Sequence, residues 1–309
     1  MGLVTEPTEP SMSYRSGFCA FVGRPNAGKS TLTNALVGSK IVITSDKPQT
    51  TRRAVRGVLN RPDGQLVLVD TPGLHRPRTL LGQRLNDVVR DNLAEVDVIG
   101  FCLPANEKVG PGDRFIAAEL AQLKAPVVAI VTKTDLGSRH GIAEQLMAVG
   151  QLGDFAEIVP VSAVADDQVD LLAGLLVARL PQGPQLYPTG VQTDESDESR
   201  ICELIREAAL ADVRDELPHS IAVTVQEMNP REVSRDEPPI LDIFATLHLE
   251  RASQRPIMLG RGGSRLKRIG IEARRGIEEL LGQRVNLRLH ISVLGEWQRD
   301  PKKLDRLGF

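Results

Sequence analysis

The segment GRPNAGKS at residues 23–30 decides the fold of the N-terminal part of the chain. It fits the pattern G-x-x-x-x-G-K-S/T, follows the apolar run FCAFV at 18–22, and opens the helix-like segment KSTLTNALVG at 29–38. In a strand–loop–helix setting, N–H groups of the loop and of the helix N-terminus can surround phosphate. A chance match in an ordinary loop would not account for the strand and helix on either side, so the pattern predicts a phosphate-binding loop.

Two side chains of the predicted loop have different expected roles. Lys29 is expected to reach the β and γ phosphates of a nucleoside triphosphate, and the Ser30 hydroxyl is expected to ligate Mg²⁺. The residues predicted to contact the nucleotide here are Gly23, Arg24, Pro25, Asn26, Ala27, Gly28, Lys29, Ser30 and Thr31.

Short apolar runs alternate with helix-like segments over residues 17–180. The runs at 54–60 and 65–70 flank the turn residues RPDG, which predicts a hairpin. Further strand candidates lie at 96–103, 125–132 and 156–161. The alternation predicts an α/β fold with a doubly wound, mostly parallel sheet, whose ligands bind beyond the carboxyl ends of the strands.

Two motifs at predicted strand ends extend the nucleotide site. In DTPG, the Asp70 carboxylate can hold the Mg²⁺ shell and the Gly73 N–H can meet the γ-phosphate. In TKTD, Asp135 can accept hydrogen bonds from guanine N1–H and the 2-amino group, two donors that adenine lacks, while the stem of Lys133 lies along the base. The predicted contacts are Asp70, Thr71, Pro72, Gly73, Thr132, Lys133, Thr134 and Asp135.

A third motif, VSA, follows the strand candidate at 156–160 and consists of Val161, Ser162 and Ala163. Its N–H groups can meet the guanine O6, an expectation that depends only on the order of the motifs along the chain. These motifs together predict a guanine nucleotide as ligand.

The chain of 309 residues favours two domains. We predict a disordered lead-in at 1–16, a nucleotide-binding domain at 17–180, a linker rich in Pro, Gly and acidic residues at 181–199, and a second domain at 200–309. Three widely spaced cysteines favour core packing in a reducing cytosol, and no apolar run approaches the length of a membrane span.

The second domain has a different order of elements: helix, strand, strand, helix, helix, strand. That order predicts a small α+β domain with an antiparallel or mixed sheet. Residues 251–309 carry 14 Lys and Arg against 6 Asp and Glu, although the whole chain has a net charge of −2. Within this basic segment, GRGG at 260–263 precedes a helix-like run, so a polyanion is the expected partner.

The motifs of the first domain, in this order and spacing, resemble the translation-factor-like GTPases. That family has Asn-Lys-x-Asp where this chain has TKTD, so Thr132 is expected to make only part of the link to the phosphate loop. The resemblance also implies a switch threonine that completes Mg²⁺ coordination beside the γ-phosphate, and we favour Thr51 over Thr50. The predicted switch I residues are Gln49, Thr50, Thr51, Arg52 and Arg53.

The position that holds a water-orienting Gln in Ras-like enzymes is Leu74, which cannot bond to water. Hydrolysis must then use another arrangement. The chain resembles the TrmE–Era–EngA group of GTPases, which implies that Asn26 helps to bind K⁺ beside the phosphates, where the cation stabilises developing charge. The alternative is that Asn26 only shapes the loop.

GRGG fits G-x-x-G between two helices and resembles the loop of a type II KH domain, which clamps about four single-stranded nucleotides. The alternative is a helix–turn–helix without RNA. The residues predicted to bind RNA are Ile257, Gly260, Arg261, Gly262, Gly263, Arg265, Lys267, Arg268, Arg274 and Arg275. A GTPase domain, a linker and a KH domain together resemble the Era family over residues 17–309.

That resemblance implies GTP/GDP and Mg²⁺ as ligands, binding near the 3′ end of 16S rRNA, and action on the 30S subunit in assembly. It also implies a membrane-associated fraction in some members. We expect a monomer in the cytoplasm.

Two other classes are compatible with the first domain. A metabolic GTP-using enzyme would need a constellation of catalytic acid–base groups after Ser199, and none is evident. A membrane-remodelling or signalling GTPase would need an amphipathic basic helix with Trp or Phe on its apolar face, and the segment 264–281 has neither residue.

Overall fold

The computed structural model describes residues 14–45, 47, 50–74, 79–211, 213, 220–231 and 239–309. Most of the predicted lead-in and the switch I residue Gln49 lie outside these residues. The first strand begins at Arg15, two residues before the start predicted for the nucleotide-binding domain. Arg15 is held there by sheet pairing with Gly64 and by a 3.2 Å hydrogen bond from its N–H to the Asp63 oxygen.

In the N-terminal part that the structure describes, six strands form one sheet in the order β2-β3-β1-β4-β5-β6. The hairpin pair β2 and β3 is antiparallel, and the other neighbouring strands are parallel. This arrangement confirms the predicted doubly wound, mostly parallel sheet. The strands are β1 (Arg15–Val22), β2 (Val55–Arg61), β3 (Gly64–Asp70), β4 (Val98–Pro104), β5 (Val127–Thr132) and β6 (Glu157–Pro160).

Helices cover both faces of this sheet, because side chains along each strand alternate between two apolar layers. On β1, Cys19 and Phe21 join the core beneath α1 and α5, whereas Ala20 and Val22 join the core beneath α2, α3 and α4. The helices are α1 (Lys29–Val37), α2 (Leu80–Glu95), α3 (Pro111–Leu120), α4 (Arg139–Gly150) and α5 (Val169–Val177).

The predicted linker lies along the first domain. Ser16 N–H donates to the Pro181 oxygen, and Thr193 forms an isolated bridge with Gly57 of β2. The fully buried side chain of Gln65 accepts hydrogen bonds from the N–H groups of Leu186 and Tyr187 at 2.7 and 2.8 Å. The linker therefore has an ordered path across the sheet edge.

The second domain has the predicted order of elements. Its sheet is mixed, with β7 antiparallel to β8 and β9 parallel to β8. The helices pack on one face of this sheet around an apolar core. The elements are α6 (Asp197–Leu210), β7 (Ile221–Arg231), β8 (Ile240–Leu249), α7 (Gln254–Leu259), α8 (Ser264–Leu281), β9 (Arg284–Val293) and a short α9 (Pro301–Arg306).

The two domains share an apolar contact at α2. Leu81 and Leu85 of α2 pack in one buried cluster with Trp297, Leu304 and Leu307. Among the described residues, no helix combines the length and the apolar character needed to cross a membrane.

Candidate nucleotide site and nucleic-acid groove

The phosphate loop joins the carboxyl end of β1 to α1. Gly28 caps α1 in the left-handed conformation, with φ 86°, and Asn26 also has a positive φ of 64°. These turns direct the loop around a cavity of about 360 Å³ at the carboxyl ends of the strands. The cavity is lined by Pro25, Asn26, Ala27, Gly28, Lys29, Ser30, Thr31, Thr44, Ser45, Thr50, Thr51, Gly73 and Lys133.

Lys29 is buried at the base of the loop. Its Nζ donates to the main-chain oxygens of Gly23 and Arg24 at 3.3 and 3.2 Å. Burial lowers the pKa of Lys29, and the nearby charge of Asp70 opposes that shift. An anion entering the cavity would relieve this cost by compensating the ammonium charge.

Three oxygen side chains meet beside Lys29 in a cluster that fits Mg²⁺. Ser30 Oγ lies 2.9 Å from Thr51 Oγ1, and both hydroxyls donate to Asp70 Oδ2, at 2.8 and 3.1 Å. The second carboxylate oxygen, Oδ1, is buried and has no hydrogen-bond partner among the described residues. Two hydroxyls and a carboxylate with a spare buried oxygen are suitable ligands for this hard cation, directly or through water.

The protonation of Asp70 depends on that environment. Burial raises the pKa of Asp70, while the charge of Lys29 and the hydrogen bonds from Ser30 and Thr51 oppose the shift. A divalent cation would favour the ionised carboxylate by the same Coulombic effect.

The structure distinguishes the two adjacent switch threonines. Thr51 points to the oxygen cluster, whereas the Thr50 hydroxyl donates to the main-chain oxygen of Lys47 at 2.6 Å. Of the two threonines, Thr51 is therefore the one whose hydroxyl belongs to the oxygen cluster. Gly73, on the other side, lies against the loop so closely that a Cβ there would be 2.8 Å from the Pro25 nitrogen.

A second cavity of about 130 Å³ adjoins the first and suits a base. Asp135 Oδ1 accepts a 2.6 Å hydrogen bond from Ser162 Oγ, which orients the carboxylate. Thr132 Oγ1 donates to the main-chain oxygen of Ala27 at 2.7 Å. The cavity is lined by Gly28, Thr31, Leu32, Thr132, Lys133, Asp135, Leu136, Val161, Ala163 and Val164.

Some predicted nucleotide contacts have side chains directed elsewhere. Arg24 Nε donates to Asp113 of α3 at 2.7 Å, and Arg24 also pairs with Glu107 at 3.1 Å. The Thr71 hydroxyl is buried and donates to the Phe21 oxygen at 2.7 Å. These side chains fix the loop and the strand end, and Leu74 is buried in the core. Pro72, Thr134 and Ser162 line neither cavity.

The glycine-rich loop of the second domain uses backbone conformations that glycine adopts readily. Gly260, Gly262 and Gly263 have φ values of 70°, 58° and 79°, in the region that favours glycine. Beside it a groove of about 400 Å³ runs between α8 and β9. The groove is lined by Gly263, Leu266, Lys267, Gly270, Ile271, Arg274, Asn286, Leu287 and Leu289.

The groove includes some of the residues predicted to bind RNA and omits others. Gly263, Lys267 and Arg274 line it. Arg265 is tied by Nη2 to the Ala211 oxygen at 3.1 Å, and Arg275 is exposed outside the groove lining. The remaining predicted residues outside the lining are Ile257, Gly260, Arg261, Gly262 and Arg268.

Sequence reasoning missed the β9 side of the groove. Asn286, Leu287 and Leu289 belong to the strand RVNLRLHISV, which was predicted as a strand but assigned no contact. Its parallel pairing with β8, which brings it against α8, was not evident from the sequence.

A phosphate loop beside an oxygen cluster that fits Mg²⁺, a carboxylate in a cavity that suits a base, and a following G-x-x-G domain are the features of a P-loop GTPase joined to a KH domain. Residues 18–133 match the family model of the 50S ribosome-binding GTPases, and 216–298 match the KH domain model. The chain is 64% identical to the GTPase Era of Streptomyces coelicolor, over 98% of this chain and 97% of the relative. It therefore belongs to the Era family of GTPases.

Other relatives and solved structures agree. The chain is 58% identical to the GTPase Era of Mycobacterium avium, over 96% of this chain and 99% of the relative. It matches the crystal structure of Era in complex with MgGDPNP and nucleotides 1506–1542 of 16S ribosomal RNA with a TM-score of 0.90, 35% identity, and coverage of 96% and 99%. It also matches the crystal structure of an Aquifex aeolicus Era variant bound to GDP and AlF₄⁻, with a TM-score of 0.90 and 35% identity. That match covers 95% of this chain and 99% of the other.

Proposed function

We propose that this GTPase is a GTP-driven switch whose KH domain binds 16S rRNA near its 3′ end and assists assembly of the small ribosomal subunit. The observation that carries the proposal is the presence, in one chain, of the Ser30–Thr51–Asp70 cluster and a basic groove beside a G-x-x-G loop. The solved Era complex with a 16S rRNA fragment supports the choice of RNA.

In the nucleotide site, each group has a defined task. Loop N–H groups and Lys29 bind the phosphates, Asp135 accepts from guanine, and Ser30, Thr51 and Asp70 would hold Mg²⁺. Bound Mg²⁺ would neutralise charge that develops on the phosphates during hydrolysis. The protein supplies position and electrostatics, because phosphoryl transfer needs little covalent chemistry from it.

We also propose that K⁺ assists hydrolysis beside Asn26. Leu74 is buried in the core and cannot orient a water molecule. Asn26 is exposed and lines the phosphate cavity, so its side chain lies in the region where a cation beside the phosphates would bind. A monovalent cation at that position would stabilise the developing negative charge.

In the groove, charge and apolar surface have separate roles. Lys267 and Arg274 can neutralise phosphates, while Ile271, Leu287 and Leu289 offer an apolar floor for unstacked bases. The positive-φ glycines let a sugar–phosphate chain approach the backbone closely. This combination favours single-stranded RNA over a lipid surface, which would not need a groove. We propose that the protein does this as a cytoplasmic monomer that meets the 30S subunit.

The deciding experiment measures binding of a synthetic RNA with the sequence of nucleotides 1506–1542, in the presence of a non-hydrolysable GTP analogue. The control RNA has the same composition in scrambled order, and anionic vesicles serve as a third ligand. Preferential binding of the authentic RNA, with affinity falling as salt rises, is expected. Equal binding of both RNAs, or preference for vesicles, would contradict the proposed partner. Sedimentation at increasing concentration tests the monomer.

A further inference from the structure

The two neighbours of Thr51 are both held by the C-terminal domain. Arg206 of α6 donates from Nη2 to the main-chain oxygen of Thr50. On the other side, Arg52 Nη1 donates to the main-chain oxygen of Ile221 at 2.6 Å. Thr51 thus lies between two residues that make interdomain hydrogen bonds, while its hydroxyl belongs to the Ser30–Thr51–Asp70 cluster.

Arg206 is itself rigidly oriented. Its side chain is only 2% exposed, and Glu203 one turn earlier accepts from it with both carboxylate oxygens, from Nε at 3.0 Å and from Nη2. A planar guanidinium held in this fork cannot rotate freely, so its Nη2 donor is presented to Thr50 in one direction. A flexible surface arginine would not constrain a loop in this way.

Arg52 occupies a buried aromatic setting. Its guanidinium carbon lies 5.7 Å from the centre of the Trp297 ring and 5.8 Å from that of Phe309. Burial, and then the charge of Arg206, lower the pKa of Arg52 to about 9, while Glu203 opposes the shift. Arg52 is 3% exposed, so its hydrogen bond to the Ile221 oxygen is shielded from solvent.

The same helix α6 also contacts the chain ahead of the switch I residues. Glu207 Oε1 accepts from Thr44 N–H at 3.1 Å, and Glu207 Oε2 pairs with Lys40 at 2.6 Å. Helix α6 of the KH domain therefore contacts this stretch at Lys40, Thr44 and Thr50, all N-terminal to Thr51.

We infer that Arg206 is a positioning residue for the GTPase site: it holds Thr50 so that Thr51 Oγ1 lies against Ser30 and Asp70. Mg²⁺-dependent binding of GTP then depends on a hydrogen bond from the KH domain, the one that Arg206 donates to Thr50. Because Thr51 is assigned to Mg²⁺ beside the γ-phosphate, the role of Arg206 rests on the proposed function. We therefore expect the affinity for GDP, which lacks the γ-phosphate, not to depend on Arg206.

The test compares affinities of GDPNP and GDP during Mg²⁺ titration in the full chain. Arg206→Gln should weaken Mg²⁺-dependent GDPNP binding about tenfold, the effect expected for one charge-assisted hydrogen bond, and change GDP binding less than about twofold. The matched control is Arg84→Gln. Arg84 also bridges the domains, to Asp305 and the Phe309 oxygen, but has no contact with Thr51, so its variant should keep the wild-type ratio.

A double-mutant cycle shows whether Arg206 acts through Thr51. Thr51→Ala should lose the same Mg²⁺-dependent preference, and adding Arg206→Gln should cause no further loss. Arg206→Lys keeps the charge but loses the two-pronged guanidinium. Its ratio of GDPNP affinity to GDP affinity should lie between those of the wild type and Arg206→Gln. A wild-type GDPNP/GDP ratio in folded Arg206→Gln, or an additive double mutant, would overturn the role.

Two other results, a variant that does not fold and a wild-type protein that does not bind GDPNP, can be distinguished from the absence of a role for Arg206. If Arg206→Gln does not fold, Glu203→Gln replaces it, because Glu203 is partly exposed and its loss frees the Arg206 fork. That variant should lower the GDPNP/GDP ratio, and an unchanged ratio counts against the role. If wild-type protein shows no Mg²⁺-dependent GDPNP binding, the proposed function fails instead.

Discussion

The Thr132 hydroxyl lies 2.7 Å from the main-chain oxygen of Ala27 and donates a hydrogen bond to it. This bond joins the end of β5, where the guanine motif begins, to the phosphate loop. The resemblance to translation-factor-like GTPases places an Asn here, and the shorter Thr side chain still makes the connection.

Replacing Thr132 by Val should loosen that connection. The change keeps the shape but leaves the Ala27 oxygen without its donor, so the free energy of unfolding should fall by about 1–3 kcal/mol and GTP and GDP affinity by roughly tenfold. Thermal melting and nucleotide titration measure the two effects. Thr132→Ser, which keeps the hydroxyl, is the control. Equal affinities for Val and Ser variants would show that the bond does not support the loop.

Replacing Asp135 by Asn should change the preferred base. The amide offers a donor where guanine needs an acceptor, so GTP affinity should fall by about a hundredfold or more, and xanthine nucleotides should bind better than guanine nucleotides. Competition binding with both nucleotides measures the preference. Asp154→Asn, at an exposed position away from the cavities, is the control. Persistent guanine selectivity would mean that another residue recognises the base.

The proposed cation beside Asn26 predicts a salt effect on turnover. GTP hydrolysis should be roughly tenfold or more faster in K⁺ than in Na⁺ at equal ionic strength, and Asn26→Ala should abolish the difference. Phosphate release measured in both salts gives the ratio. Equal rates in the two salts, with Asn26→Ala also without effect, would eliminate this mechanism.

Variants of two adjacent arginines on α8 can distinguish RNA contacts in the groove from a general effect of positive charge. Arg274 lines the groove and Arg275 does not, although both are exposed. Arg274→Glu should weaken single-stranded RNA binding by roughly tenfold or more and lower the slope of log affinity on log salt, whereas Arg275→Glu should have a smaller effect. Comparable losses in both variants would argue for a diffuse electrostatic surface.

The loop itself gives a second test of the groove. Arg261→Asp and Gly262→Asp each place a negative charge where a phosphate would pass, so together they should abolish RNA binding and spare GTP hydrolysis. Gly262 has φ 58°, so Asp there is strained, and circular dichroism must first show a folded protein. Wild-type RNA affinity and salt slope in the folded double variant would refute the role of the G-x-x-G loop.

Much of the first domain could be predicted because its signals are local. The phosphate loop, the hairpin and the carboxylates Asp70 and Asp135 each lie at a strand end that short-range patterns define. The choice of Thr51 over Thr50 came from the family resemblance. In the structure Thr50 makes a local hydrogen bond to Lys47, whereas Thr51 bonds to Asp70, 19 residues away.

The rest depends on pairs that are distant in the chain. Arg206 is 156 residues from Thr50, and no spacing rule connects a buried arginine on one domain to a main-chain oxygen on another. Arg24 was predicted to contact the nucleotide because it lies within the motif, but its side chain pairs with the carboxylate of Asp113 on α3. Likewise, the basic residues of α8 cannot be distinguished in the sequence. The packing of β9 against α8 forms a groove, and only some of them, such as Arg274, line it.

The burial of Trp297 gives this chain an internal optical probe. It is the single tryptophan of the sequence, fully buried, stacked on Phe309 with ring centres 5.6 Å apart, and adjacent to the Arg52 guanidinium. Release of the switch segment would withdraw that cation from the indole and admit water, which shifts tryptophan emission to longer wavelength. Undocking of the two domains can therefore be timed in unlabelled protein by stopped-flow fluorescence after mixing with nucleotide or RNA.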